Sequence, residues 1–133
     1  MHIDYKNNNS DYYSYIQTGS ATWNSYKSGV FRQDTNTTVA DVVISDITVV
    51  SNTNATTYSY GAIKFNKYQM DSKGTSETKN IATHELGHAL GIDHIPISGD
   101  LMYEYSNNTY TLSSTDKSNY DIAYGNWLIY YAQ

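Results

Sequence analysis

Residues 83–96 constrain this chain more than any other stretch. They read Thr-His-Glu-Leu-Gly-His-Ala-Leu-Gly-Ile-Asp-His-Ile-Pro and hold three of the four histidines in the protein. If residues 81–90 are helical, His84 and His88 project from one face a single turn apart, a spacing that suits two imidazoles on one metal ion. Glu85 stands beside them. Gly91 can take a positive φ, end the helix and turn the chain back so that His94 approaches as a third ligand. Pro96 opposes any resumption of the helix just beyond. Asp93 is the rival for the third place, and His94 is preferred because it occupies the register position.

With this composition, a bare HExxH arises by chance in roughly one such chain in 400, and the full HExxHxxGxxH in about one in 200,000. His84, Glu85, His88, Gly91 and His94 resemble the zinc-binding motif of the metzincin metallopeptidases. Gly99, Asp100, Leu101, Met102 and Tyr103 resemble the methionine turn of that group as it occurs in its matrixin branch. Weaker similarities follow in the matching order: Ala21, Thr22, Trp23 and Asn24, then residues 40–44, then residues 121–125.

The resemblance implies an α+β, zincin-like domain. Its sheet would be twisted, mixed and mostly parallel, with an active-site helix, a backing helix and a C-terminal helix, all within one catalytic domain over residues 1–133. It implies one catalytic zinc on His84, His88 and His94, a structural floor from Met102, and a pocket wall bearing Tyr103 and Tyr105 that receives the residue after the scissile bond. It also implies an exposed edge strand, here somewhere in residues 56–60, that binds a peptide substrate by antiparallel pairing. Some metzincins carry a further tyrosine ligand two residues after the turn methionine, but that place is Glu104 in this chain.

The residues themselves support the chemistry. Three imidazoles with one open position make a catalytic rather than a structural zinc site. Such a zinc acidifies water and polarises a peptide carbonyl, and Glu85 is placed as general base and then acid. The expected activity is therefore zinc-dependent endopeptidase action on a polypeptide. Two other readings stand beside it: a non-catalytic zinc-containing binding module, and a zinc amidase acting on cell-wall peptides. Glu85 argues against the binding module, because zinc binding alone does not need that carboxylate.

Composition narrows the remaining classes. The chain has 133 residues, 39% hydrophobic and 16% charged, which is a globular balance with room for one core. A net charge of −5 and only 8 Lys and Arg, without a basic cluster, argue against nucleic acid. An acidic surface mildly favours cationic substrates. No apolar run is long enough to span a membrane, and residues 1–10 lack a signal-peptide core. The resemblance nevertheless implies secretion, with a signal and propeptide not present in this chain; a monomer is expected. Without cysteine there is no disulfide. Loop Asp and Asn residues leave a structural calcium open.

Along the chain, Ile3 and Tyr5 suggest a short strand. Residues 11–27 suggest a helix whose tyrosine stripe is core packing rather than a sugar platform. Residues 30–33 and the centre of residues 39–50 suggest strands, the second covered on both faces. Residues 51–57 read as loop and residues 58–66 as strand, with Gly61 a bulge or a close approach. Thr75 or Ser76 is expected to cap the active-site helix, whose other face is Ile81, Leu86, Ala89 and Leu90. Ser113 or Ser114 is expected to cap a last helix packed through Tyr120, Ile122, Ala123, Trp127 and Leu128, with Gly125 as its end or kink.

Overall fold

In the computed structural model, residues 2–34 and 40–132 are described, with the backbone alone from residue 124 onward. The elements run β1 (Ile3–Asn7), α1 (Tyr13–Tyr26), β2 (Phe31–Gln33), β3 (Val42–Ile47), β4 (Ala55–Tyr58), β5 (Ala62–Asn66), α2 (Lys67–Met70), α3 (Thr75–Ala89) and α4 (Ser114–Ala132). The five strands form one sheet in the order β2-β1-β3-β5-β4, with every neighbouring pair parallel except β4 and β5. This is the mixed, mostly parallel sheet of an α+β fold.

The sheet is joined to two helices that pack on each other. Ile16 and Trp23 of α1 are fully buried, as is Leu86 of α3. The Trp23 indole N–H donates to the Thr83 carbonyl at 2.9 Å, which locks α1 against the helix that carries the histidines. Tyr12 packs its ring 5.4 Å from Phe65 of β5, so most of the tyrosine stripe belongs to the core. Burial of such side chains contributes about 1.5–3 kcal/mol each.

Three local expectations need correction, and Gly61 resolves between its two readings. β3 is fully covered on one face only, because Val42 and Ile44 are buried while Val43 and Ser45 are half-buried. The strand expected over residues 58–66 is instead a hairpin: β4 begins at Ala55, inside the expected loop, and a turn at Ser59 and Tyr60 leads into β5. Gly61 sits in that turn with φ +96, and a Cβ there would collide with the Asp41 carbonyl, so of its two readings close approach holds. α3 is capped by Gly74 without a side-chain bond, and Thr78 Oγ1 donates to the Gly74 carbonyl at 2.8 Å instead.

α4 is capped by Ser113: its Oγ accepts from the Asp116 N–H at 3.1 Å, and Asp116 Oδ2 accepts from the Ser113 N–H at 2.9 Å. Tyr120 packs inward on Trp23, with centroids 6.3 Å apart, but Ile122 is 62% exposed. Two residues along a helix is about 200° of rotation, so both cannot face the core. The helix continues through Gly125 without ending there, while the side chains of Trp127 and Leu128 lie outside the described set. Among the described residues no helix is long and apolar enough to cross a membrane.

Candidate active site

α3 presents His84 and His88 on one face, with ring centroids 4.6 Å apart. The helix then ends in a glycine cap. Gly91 has φ +88, its N–H donates to the His88 carbonyl at 2.9 Å, and the Ile92 N–H donates to the Gly87 carbonyl at 3.0 Å. That reversal brings His94 back to the pair, with ring centroids 5.1 Å from His84 and 4.8 Å from His88. One ring nitrogen from each histidine lies within 4.8 Å of the others, and Asp93, though adjacent in sequence, is not part of the group.

The imidazoles are oriented from behind. His84 Nδ1 is 2.7 Å from the Leu101 carbonyl and His88 Nδ1 is 2.8 Å from the Ile92 carbonyl. A carbonyl only accepts, so both Nδ1 atoms carry the proton and both Nε2 atoms carry a lone pair. His88 Nε2 stands 3.1 Å from His94 Nε2. Two nitrogens on a tetrahedral zinc, each at about 2.0–2.1 Å, are about 3.3 Å apart. Burial pushes the His84 imidazole down to about 4 and lowers His88 in the same direction. The pair is neutral at pH 7, as a metal-binding imidazole must be. The donor set therefore fits a zinc ion.

Glu85 is buried on the same helix, and desolvation pushes its carboxyl up to about 7. Its backbone carbonyl accepts from Thr57 Oγ1 at 3.0 Å, which ties β4 to the centre of α3. β4 is the last strand of the sheet, so among the described residues its outer edge has no strand beside it. The expected edge at residues 56–60 thus shifts to Ala55–Tyr58, since Tyr60 is in the turn.

Met102 is completely buried beneath the histidine helix. A Cβ on Gly87 would lie 2.5 Å from Met102 Sδ and 3.0 Å from its Cε, so the thioether lies directly on the backbone between His84 and His88. The Met102 carbonyl accepts from the Ile95 N–H at 2.9 Å, which fastens the His94 loop to the methionine turn. Asp100 holds the turn itself: Oδ1 accepts from the Leu101 N–H, Oδ2 accepts from Ser113 Oγ, and its carbonyl accepts from Asn107 Nδ2.

A cavity of about 1000 Å³ joins these parts, lined by β4, the three histidines, Glu85, Tyr103, Glu104, Tyr105 and Ser106. Tyr103 and Tyr105, expected as a pocket wall, meet edge to face with centroids 5.8 Å apart. His2 also lines the cavity, where it faces Asp4 at 3.9 Å and stands apart from the triad.

Sequence reasoning did not find the Leu101 and Ile92 carbonyls, the Thr57 tie or the Asp100 network. Carbonyl roles leave no residue signature. The Ser113 and Asp116 spacing did signal the helix cap that Asp100 joins. The matrixin family profile matches the chain over residues 4–125. No curated protein sequence matches it.

Proposed function

Because the chain belongs to the matrixin family of metallopeptidases, we propose that it is a zinc-dependent endopeptidase, with His84, His88 and His94 as zinc ligands and Glu85 as the catalytic acid and base. The observation that carries this reading is the convergence of three imidazoles beside a buried carboxyl group in one open cleft.

When bound, zinc supplies a Lewis acid for the scissile carbonyl and lowers the pKa of water toward about 7. The chain's own groups do the rest. The outer edge of β4 receives an extended peptide by antiparallel hydrogen bonding and lays its backbone along the cleft. Thr57 keeps that edge in register with α3. Glu85 takes a proton from the attacking water at its carboxylate and passes it to the departing amide nitrogen. A carboxyl raised to about 7 is matched to both transfers near neutral pH, and a cation alongside would bias it toward the ionised, accepting form. Met102 keeps the underside of the imidazoles dry, and the Leu101 and Ile92 carbonyls hold the rings at the orientation described above. Tyr103 and Tyr105 wall the pocket for the residue after the cleaved bond.

The molecule acts as a monomer outside the cell, the setting typical of matrixins. The test is cleavage of an unstructured polypeptide by the zinc-loaded protein, abolished by a chelator and restored by zinc. Cleavage that survives complete removal of metal would refute the reading.

A further inference from the structure

The active-site cleft is lined by four carboxylates, Asp41, Glu85, Asp93 and Glu104, and by none of the eight Lys and Arg residues. Two of the four have tasks on the page: Asp41 accepts from the Asp4 N–H at 2.9 Å and Glu85 is the buried acid beside the histidines. Glu104 has no hydrogen-bond or salt-bridge partner among the described residues and is exposed to the cleft between two tyrosines. The neighbouring acid Glu77 is already committed, since it accepts from Ser106 Oγ at 2.5 Å and faces Lys73 at 3.7 Å.

Strand direction says which part of a substrate meets Glu104. Thr57 bonds to Glu85, whereas Asn54, three residues earlier, donates to Ser106 Oγ at 3.4 Å. The wall from Tyr103 to Ser106 therefore lies toward the start of β4, about 10 Å along the strand from the Thr57 contact with the Glu85 backbone. A peptide antiparallel to β4 runs from the Tyr58 end toward Asn54, so its residues after the cleaved bond pass this wall.

From this, and resting on the endopeptidase reading, we infer that Glu104, framed by Tyr103 and Tyr105, is a specificity residue that selects lysine or arginine within the first three positions after the scissile bond. A carboxylate supplies the counter-charge, and tyrosine faces attract the same cation.

The test is sequencing of cut sites in an unbiased peptide library, followed by kcat/KM on matched peptides with Lys, Leu or Glu at those three positions. The wild type is expected to favour Lys over Glu by about 10-fold or more at one of them. Glu104→Gln is expected to flatten that preference and Glu104→Lys to reverse it. Binding of the same peptides to Glu85→Gln is expected to rank them alike, with the Lys preference fading as salt rises. Cleavage without a cationic preference, or with one that Glu104→Lys leaves intact, overturns this inference and spares the peptidase reading. No cleavage of any peptide overturns both.

Discussion

Gly87 lies so close to Met102 that a Cβ at position 87 would stand 2.5 Å from the Met102 sulfur and 3.0 Å from its terminal methyl. The glycine inside the histidine motif is thereby explained by packing: the helix rests on the thioether with nothing between them. Gly87→Ala must push Met102 or α3 aside, and overpacking of this kind costs about 1–3 kcal/mol. Met102→Ala leaves a cavity in the same place and costs about 2–5 kcal/mol. Urea unfolding of both variants checks these values, and both are expected to bind zinc more weakly than the wild type because the ring supports move.

Gly91 tests the reversal that delivers His94. Its φ of +88 is costly for any residue with a Cβ, so Gly91→Ala is expected to lose about 1–2 kcal/mol of stability. Because the same turn positions the Ile92 carbonyl on His88 and carries the chain to His94, zinc affinity should fall with it. Competition against a chromogenic chelator measures that loss. An unchanged zinc affinity would separate the turn from the site.

Removing His84, His88 or His94 singly by alanine substitution is expected to weaken zinc binding beyond the roughly 10–100-fold typical of a lost supporting hydrogen bond. Asp93→Ala should leave zinc binding within a few-fold of the wild type, since its carboxylate is outside the converging group. Zinc titration by calorimetry distinguishes the two outcomes.

Asp116 offers a pH test away from the metal. It is fully buried, its Oδ1 has no hydrogen-bond partner among the described residues, and burial raises its carboxyl above the ordinary value of 3.8. A raised acid holds its proton more tightly when folded. Its stabilising contribution is therefore complete below about pH 3.8 and is lost as pH rises through the folded value. Asp116→Asn has no such charge to bury and can still accept from the Ser113 N–H. The stability of the variant relative to the wild type should accordingly improve from pH 4 to pH 7, read as the difference in urea midpoints. A constant difference across that range would contradict the burial argument.

The sequence was most informative where one residue type does one job. The His84 and His88 pair, the Gly91 reversal and His94 follow from helix geometry and the one conformation that favours glycine. The helix at α1 and the strands at β1, β2 and β3 followed from periodicity and β-branching. It was least informative where the backbone acts. The Leu101 and Ile92 carbonyls that orient the imidazoles could have been offered by any residues. The family resemblance implies an edge strand near β4, but the residue pattern hides it, because Ala55, Thr56 and Thr57 form a short, half-buried edge strand without the apolar alternation of a covered one. Ser59, Tyr60 and Gly61 extended an alternating pattern that geometry turns into a hairpin. Ile122 is apolar yet 62% exposed, because Tyr120, two residues earlier on the same helix, takes the inward face.

The most direct measurement is turnover of an unstructured polypeptide by the zinc-loaded wild type beside Glu85→Gln at matched zinc occupancy. The expected result is full zinc binding in both proteins and a loss of kcat of about 10²-fold or more in the variant, the size of effect that a positioned acid and base supplies. Equal turnover by the two zinc-loaded proteins would contradict the role of Glu85, and zinc bound without turnover in either would contradict the peptidase itself.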